Sequence, residues 1–252
     1  MLTKRQVVMW KVPVVPGLAL LASVMLPGGM SAQERAHAAM TLTAQDRAEM
    51  QQLVAGYSRA LGTCDAVQYA ELFAEPDGFF ASGPRGHVAG RDRLVALVES
   101  ERHCNDATRE RQPINVPADV SFEPSPEGAV GRAVLGPNGN HYEDAYVKTP
   151  KGWRFKSRTF VSAQEEAAGL TGQDFVEIRR LAGNDAGQFA DVYETTPQGR
   201  RFRSSGVVIR VSDAGVTGRA ALKNGGGYYD DVYVKAPTGW RFTSRTYSAA
   251  RD

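Results

Sequence analysis

The chain has 252 residues, of which 42% are hydrophobic and 23% are charged. This composition excludes a disordered chain, which would be poorer in apolar residues, and a membrane bundle, which would be richer. The formal net charge of +2 depends on residues 1–38, because without them 26 basic residues face 27 acidic ones. The sequence therefore does not indicate a polyanion-binding surface, and we expect no nucleic-acid partner.

Residues 1–38 have the layout of a signal peptide. Three basic residues within the first eleven precede an uncharged apolar run from Val12 to Leu26. This run is shorter than the roughly twenty residues of a transmembrane helix, and it contains two prolines. We therefore expect cleavage near residue 38, a periplasmic or secreted mature protein, and no membrane association after processing. An uncleaved anchor is the alternative.

Helices are predicted first along the mature chain. Thr43 followed by Asp46 resembles a helix-start box, and apolar residues then recur at helical spacing as far as Leu61. Asp65 is placed to cap a short second helix that runs through residue 73. A third helix is predicted over residues 91–101, after a brief strand at residues 78–82.

Strands follow the helices. Alternating apolar residues between clusters of Pro, Gly and Asn predict strands at residues 116–122, 129–135, 141–149 and 153–162. Helices followed by an antiparallel meander indicate the α+β class.

The chain contains a partial repeat. Tyr142–Phe160 and Tyr229–Tyr247 are identical at 13 of 19 positions, at an offset of 87 residues. Leu42–Asp46 matches Leu170–Asp174 at an offset of 128, so the second copy is shorter by 41 residues. We predict a complete domain at residues 42–162. We predict a truncated repeat at residues 170–248 that is mostly antiparallel sheet and lacks the third helix.

The turn around Pro150 predicts which residues of the repeated hairpin face each other. A three-residue loop ending at Gly152 places Asp144 opposite Arg158, Tyr142 opposite Phe160 and Tyr146 opposite Lys156. The same reasoning places Asp231 opposite Arg245 in the second copy. Each acid–arginine pair is interpreted either as a cross-strand ion pair beside core aromatics or as a polar anchor in a ligand pocket.

The two cysteines also have two interpretations. In an oxidising compartment, Cys64 and Cys104 can form a disulfide that closes a loop of 39 intervening residues. Two buried free thiols are the alternative. The four histidines are scattered singly, so we predict no metal site.

Several motifs in a fixed order carry a family resemblance. They are Tyr57-Ser-Arg-Ala-Leu61, Asp65 with Tyr69–Phe73, Gly90-Arg91 opening a helix, and Tyr142-x-Asp144-x-Tyr146. This order resembles the SnoaL-like branch of the nuclear transport factor 2-like superfamily. The resemblance implies a curved antiparallel sheet wrapped around helices into a cone with an interior pocket. It also implies acid–base chemistry on a small, largely apolar carbonyl compound without a metal or other cofactor.

The resemblance also implies roles for individual residues. Tyr57, Asp144 and Arg158 match the catalytic set of dehydratase-like members, and the residues implied to contact a ligand are Tyr69, Gln112, Asn115, Tyr142 and Tyr146. Two positions depart from the family pattern, because Gly62 stands where an Asp is usual and Gln112 stands where a His is usual. Glutamine cannot transfer a proton near neutral pH, and His87 or His103 would have to replace it.

Two functions follow from this comparison. The first is small-molecule binding in the cone, with at most residual dehydratase or isomerase chemistry. The second is a non-catalytic exported structural or assembly module with a filled pocket. An empty cavity of about 300 Å3 or more beside Tyr57 would favour the first. Because family dimers pair their outer sheet faces, we also expect a homodimer or an internal pseudo-dimer, in which the truncated repeat docks in that way.

Overall fold

Three helices open the part of the chain that the computed structural model describes, which comprises residues 41–104, 114–183, 189–197, 199–213 and 215–250. They are α1 (Ala44–Thr63), α2 (Ala66–Glu71) and α3 (Arg91–Arg102). The predicted start box is confirmed, because Thr43 Oγ1 accepts the backbone N–H of Asp46 and Asp46 accepts the backbone N–H of Thr43. Asp65 caps α2 as expected. The structure is therefore mixed α+β.

The larger sheet has eight strands in the order β3-β4-β5-β6-β1-β2-β8-β7. Their bounds are β1 Phe79–Ser82, β2 Gly86–Ala89, β3 Asp119–Ser125, β4 Gly128–Val134, β5 His141–Thr149, β6 Gly152–Val161, β7 Asp191–Thr196 and β8 Gly199–Ser205. Strands β3–β6 form an antiparallel meander, here called the first meander. Strand β1 was expected from the sequence, but β2 was not, because the four residues Gly86-His87-Val88-Ala89 give little periodic signal.

The smaller sheet consists of a second antiparallel meander with the order β12-β11-β10-β9. Its strands are β9 Val207–Ser212, β10 Gly215–Ala221, β11 Tyr228–Ala236 and β12 Gly239–Ser248. Two helices precede it, α4 (Ala163–Ala167) and α5 (Gly172–Ala182), and α5 has 11 residues where α1 has 20. Residues 170–248, which the sequence groups into one truncated repeat, are thus divided between two sheets.

The β5–β6 register corrects one predicted pair. Asp144 lies opposite Arg158 and Tyr142 opposite Phe160, as expected, but Tyr146 lies opposite Phe155 rather than Lys156. The loop contains two residues instead of three, since Thr149 already pairs with Gly152, and a bulge after Ala145 then restores the predicted offset. The acid–arginine pairing was therefore right although the turn was wrong.

The main hydrophobic core lies between the helices and the larger sheet. It includes Met50 and Leu53 of α1, Leu94 of α3 and Phe155 of β6, together with Phe202 of β8. A second core surrounds α5 and the second meander and also contains Val161 of β6. The β7–β8 hairpin therefore packs with the first core, whereas the second meander has a core of its own.

The second meander contacts the larger sheet differently from the expected pairing of outer faces. Arg179 of α5 donates a hydrogen bond to the Ser82 carbonyl at 2.7 Å, and the Ile209 amide donates to the Gly83 carbonyl at 2.9 Å. Gly172, at the start of α5, donates to Glu143 at 2.8 Å. Helix α5 and strand β9 thus make these contacts with β5 and with the β1–β2 turn.

Within the described ranges, no helix is both long enough and apolar enough to span a bilayer. The same ranges contain no group of three or more His, Cys, Asp or Glu side chains placed to hold a metal ion.

Candidate functional site

A cavity of about 350 Å3 lies inside the first domain. The sequence-predicted residues Tyr57, Tyr69, Tyr142 and Asn115 line it. Most of the other wall is apolar and comes from Leu61, Phe80, Leu97, Val98, Ile114, Leu135 and Phe160. This volume lies just above the value of about 300 Å3 at the lower end of the range for small-molecule pockets.

Three tyrosines contribute phenol groups to the cavity wall. The hydroxyls of Tyr57 and Tyr142 are 3.5 Å apart, and the ring of Tyr69 lies 5.1 Å from that of Tyr57. Burial raises the pKa of all three phenols above the ordinary value, most strongly for Tyr57, where the neighbouring Tyr142 adds to the effect. Each phenol therefore stays protonated and can donate a hydrogen bond to a ligand, but it cannot act as a base.

Arg158 and Asp144 lie behind these tyrosines. The Arg158 guanidinium is fully buried and stacks on Tyr57 and Tyr142, with 4.2 Å from its central carbon to each ring centre. It donates to Asp144 Oδ2 at 3.1 Å, and the Tyr146 hydroxyl donates to the same oxygen at 2.8 Å. Neither Arg158, Asp144 nor Tyr146 lines the cavity. The predicted catalytic set is therefore brought together, but only its tyrosine faces the cavity.

The buried pair is only partly satisfied. Arg158 Nε lies 3.1 Å from Asp144 Oδ1, yet neither atom has hydrogen-bonding geometry, and Arg158 Nη1 has no hydrogen-bond partner either. Burial raises the pKa of Asp144, and Arg158 and Tyr146 partly oppose this increase. Because the carboxyl group is enclosed by these two partners, it has no direct route for proton exchange with a molecule in the cavity.

The remaining polar residues of the cavity wall were not predicted from the sequence. Arg85 and Glu101 form an ion pair there, and Arg102 and Ser82 also line the cavity. Helical spacing carried a signal for Glu101, since it falls on the face of α3 that also presents Leu94, Leu97 and Val98. Gln112, predicted to contact a ligand, lies outside the described residues.

A disulfide joins the ends of two helices that line the cavity. Cys64 follows the last residue of α1, Cys104 follows α3, and the two form a disulfide in the structure. Arg102 Nε donates to the Leu61 carbonyl at 3.2 Å beside it. The covalent bond therefore fixes the distance between the helix ends that carry Leu61 and Arg102.

The two candidate replacement histidines do not line the cavity. His87 lies in β2, half-buried, with its ring 4.3 Å from that of Phe79. Burial and the nearby Arg179 and Arg93 lower the pKa of His87 to about 4. His103 is the left-handed residue that ends α3, with φ of 51°.

The second meander repeats the arrangement of Asp144, Tyr146 and Arg158, but its arginine is more exposed to solvent. Asp231 accepts hydrogen bonds from Tyr233 at 2.9 Å and from Arg245 at 3.3 Å. Arg245 stacks on Tyr229 and Phe242, but its side chain is 28% exposed, whereas that of Arg158 is fully buried. Within the described ranges, no ring from α5 stacks on Arg245 as the Tyr57 ring of α1 stacks on Arg158.

A second repeated constellation was also missed. The Trp153 indole donates to Asp46 at 2.9 Å, and Lys148 donates to the same oxygen at 2.7 Å. The second copy has the same arrangement, in which Trp240 and Lys235 contact Asp174 at 2.7 and 2.8 Å. The N-terminal aspartate of α1 thus contacts the β5–β6 hairpin beside its turn, and that of α5 contacts the β11–β12 hairpin in the same way. Neither the indole hydrogen bond nor the lysine contact was predicted from the sequence.

Comparison with known proteins gives one family match within the first part of the chain. Residues 42–135 match the family model described as a SnoaL-like domain. No curated protein sequence matches the chain. Similar solved structures include an NTF2-like protein with a cystatin-like fold from Novosphingobium aromaticivorans, with 22% identity over 47% of this chain and 82% of that one, and a TM-score of 0.40.

Two further structures have comparable scores. A protein of unknown function with a cystatin-like fold from Nostoc punctiforme has 20% identity over 48% of this chain and 93% of that one, with a TM-score of 0.41. ActVI-ORFA from Streptomyces coelicolor has 18% identity over 46% and 96%, with a TM-score of 0.38.

Proposed function

The chain contains a SnoaL-like domain at residues 42–135, and we propose that this domain binds a small, largely apolar molecule with an acceptor oxygen such as a carbonyl. The observation that carries the proposal is the pair of phenol hydroxyls, Tyr57 and Tyr142, in an otherwise mostly apolar cavity of about 350 Å3. Apolar walls favour a ring system, and the protonated phenols supply hydrogen bonds that orient its oxygen.

Binding is better supported than catalysis. An acid–base reaction needs a group that gains and loses protons within hydrogen-bond reach of the ligand. Tyr57 is held protonated, and Asp144 lies behind the tyrosine wall in contact with Arg158 and Tyr146. The remaining role for this set is to polarise a bound carbonyl through Tyr57, which leaves at most weak dehydratase or isomerase activity.

A thermal-shift assay tests the proposal. Two- and three-ring ketones are compared with hydrocarbons of the same shape, because a site built to bind an oxygen discriminates against the analogue that lacks it. We expect a ketone to raise the Tm and its hydrocarbon to have a smaller effect. Tyr57→Phe and Tyr142→Phe should remove the difference, while Tyr247→Phe, at an exposed tyrosine of β12, should preserve it. Equal shifts for ketone and hydrocarbon would contradict the proposal.

We also propose that the protein is exported and that residues 1–38 are removed. The basic start and apolar run of these residues support this, as does the Cys64–Cys104 disulfide, which is typical of an oxidising compartment. Residues 1–40 lie outside the described ranges. N-terminal sequencing of the protein recovered from the periplasm or medium should begin near residue 39, and a sequence beginning at Met1 would contradict cleavage.

A further inference from the structure

Three β-hairpins of this chain share a sequence pattern and an irregular register. Besides β5–β6 and β11–β12, the β7–β8 hairpin carries the pattern, since residues 144–157 and 191–204 are identical at 8 of 14 positions. In each hairpin, a bulge precedes a tyrosine that pairs with a phenylalanine: Tyr146 with Phe155, Tyr193 with Phe202 and Tyr233 with Phe242. The three hairpins are therefore equivalent position by position.

The β7–β8 hairpin is adapted to the first domain. Ser205 stands where the other hairpins have Arg158 and Arg245, and its hydroxyl donates to Asp191 at 2.7 Å. The positive charge comes instead from Arg93 of α3, whose Nε lies 3.0 Å from the other Asp191 oxygen. Asp191 therefore still has a hydrogen-bond donor, Ser205, and a positively charged partner, Arg93, although the arginine of the other two hairpins is absent.

The second strands of two hairpins each pair in parallel with the short central hairpin β1–β2. In β6, Arg158 lies opposite Phe80 of β1. In β8, the equivalent Ser205 lies opposite Gly86 of β2, and its amide donates to the Arg85 carbonyl at 3.0 Å. The equivalent residues Arg158 and Ser205 therefore each pair with a parallel strand on the side away from their own hairpin partner.

The third hairpin leaves this position open. Within the described ranges β12 pairs only with β11, and it is the terminal strand of its sheet. Its residues Ser244-Arg245-Thr246 repeat the Ser157-Arg158-Thr159 tripeptide that pairs with β1. An arginine on an edge strand commonly discourages pairing. It does not prevent pairing in this pattern, because Arg158 occupies the same position in a strand with neighbours on both sides.

We propose that β12 binds an extended segment of a partner protein, which adds to the second meander as a parallel strand with an aromatic residue opposite Arg245. The chemistry of this segment follows from β1, which places Phe79, Phe80 and Ala81 along the identical tripeptide. Backbone hydrogen bonds to the open edge would provide affinity, and the exposed ring of Tyr247 would contact an aromatic or apolar side chain.

The partner is a different protein rather than a second copy using its own β1. Both edges of the β1–β2 hairpin are already occupied, by β6 and by β8. A second copy would have to give up one of these pairings to supply the strand. By analogy with β1, the partner segment is short, uncharged and aromatic. It comes from a chain in which this segment is not already paired in a sheet.

The probe for this proposal is the acetylated, amidated peptide with the sequence of residues 78–82, added to the 15N-labelled full chain. We expect saturable NMR shift changes at the amides of residues 243–248 and little change in the first meander. A spin label on the peptide N-terminus should broaden signals near Phe242, and one on its C-terminus should broaden signals near Ser248, because the pairing is parallel. Shifts that are absent, scattered or of antiparallel polarity would overturn the proposal.

Two N-methylated peptides supply the matched control. One carries methyl groups on the nitrogens equivalent to Phe79 and Ala81, and the other on those of Phe80 and Ser82. Alternate residues of a strand bond to opposite neighbours, so one peptide should lose binding and the other should retain it. Equal binding by both would indicate non-specific hydrophobic association and overturn the proposal. Sedimentation that shows dimers with the β12 amides already protected would also overturn it, in favour of self-association.

Discussion

The Arg158 guanidinium lies 4.2 Å from the centre of the Tyr57 ring, and only the tyrosine reaches the cavity. Replacing Arg158 by Met leaves the Asp144 carboxyl buried without its cation, so we expect the free energy of unfolding to fall by about 3–5 kcal/mol. Arg245→Met is the matched control, with a smaller expected loss of about 1–2 kcal/mol, because it also leaves a buried carboxylate, Asp231, but the Arg245 side chain is 28% exposed and water lies close to the pair. Urea unfolding measures both, and equal losses would contradict the difference in burial.

The junction of β2 with β8 depends on Gly86. Its φ is 70°, and a Cβ atom there would overlap the carbonyl oxygen of Ser205. We expect Gly86→Ala to lower the free energy of unfolding by at least 2 kcal/mol, because it adds a steric clash to an unfavourable backbone conformation. Gly90→Ala is the control, since Gly90 also has a positive φ, of 88°, but a Cβ there meets nothing. If both variants lose about 1 kcal/mol in urea unfolding, the close strand approach is unimportant.

The pKa of His87 predicts a loss of stability in weak acid. The folded protein binds a proton at His87 only near pH 4, whereas the unfolded chain does so near the ordinary value of 6.5. As the pH falls from 6.5 to 4, protonation therefore favours the unfolded state, by about 1–3 kcal/mol after allowance for partial exposure. His87→Gln should flatten this part of the pH–stability curve. Parallel curves for the two proteins across this range would refute the assignment.

The disulfide should contribute to both stability and binding. Reduction, or the Cys64→Ser and Cys104→Ser double substitution, removes a cross-link around 39 residues, for which loop entropy predicts a loss of about 3–4 kcal/mol. Because Leu61 and Arg102 lie beside the bond and line the cavity, affinity for any ketone identified by thermal shift should also fall. Unfolding and binding are measured with and without reductant. An unchanged midpoint on reduction would contradict the stabilising role.

The hairpin register shows what the sequence could predict and what it could not. The predicted offset placed Asp144 opposite Arg158 and Tyr142 opposite Phe160, both as observed. The two-residue turn and the bulge were not predicted, because their effects on the offset cancel beyond Ala145. The turn and the bulge shift the register in opposite directions, so the pattern of apolar residues does not reveal either of them. Of the predicted pairs, only Tyr146 with Lys156 lies between the two and was wrong.

Long-range packing explains the other misses. Asp46 and Trp153 are separated by more than a hundred residues, and neither local propensity nor spacing indicates that a helix cap will accept an indole hydrogen bond. The tyrosine wall was expected from the resemblance, but that Arg158 lies behind it depends on ring orientations. The β7–β8 hairpin was overlooked because its tryptophan and arginine positions are changed to Arg200 and Ser205, which weakens the repeat just where it is most recognisable.

The pairing of β8 with β2 also constrains how the protein is made. During synthesis, β2 and the whole first meander emerge from the ribosome long before Gly199–Ser205, so the β2 edge and the site that receives Phe202 stay uncovered for that interval. An open strand edge on a nascent chain is a point of misassociation. The first domain can thus begin to fold early but completes its sheet late, and the intervening α4 and α5 must emerge before the chain returns to it.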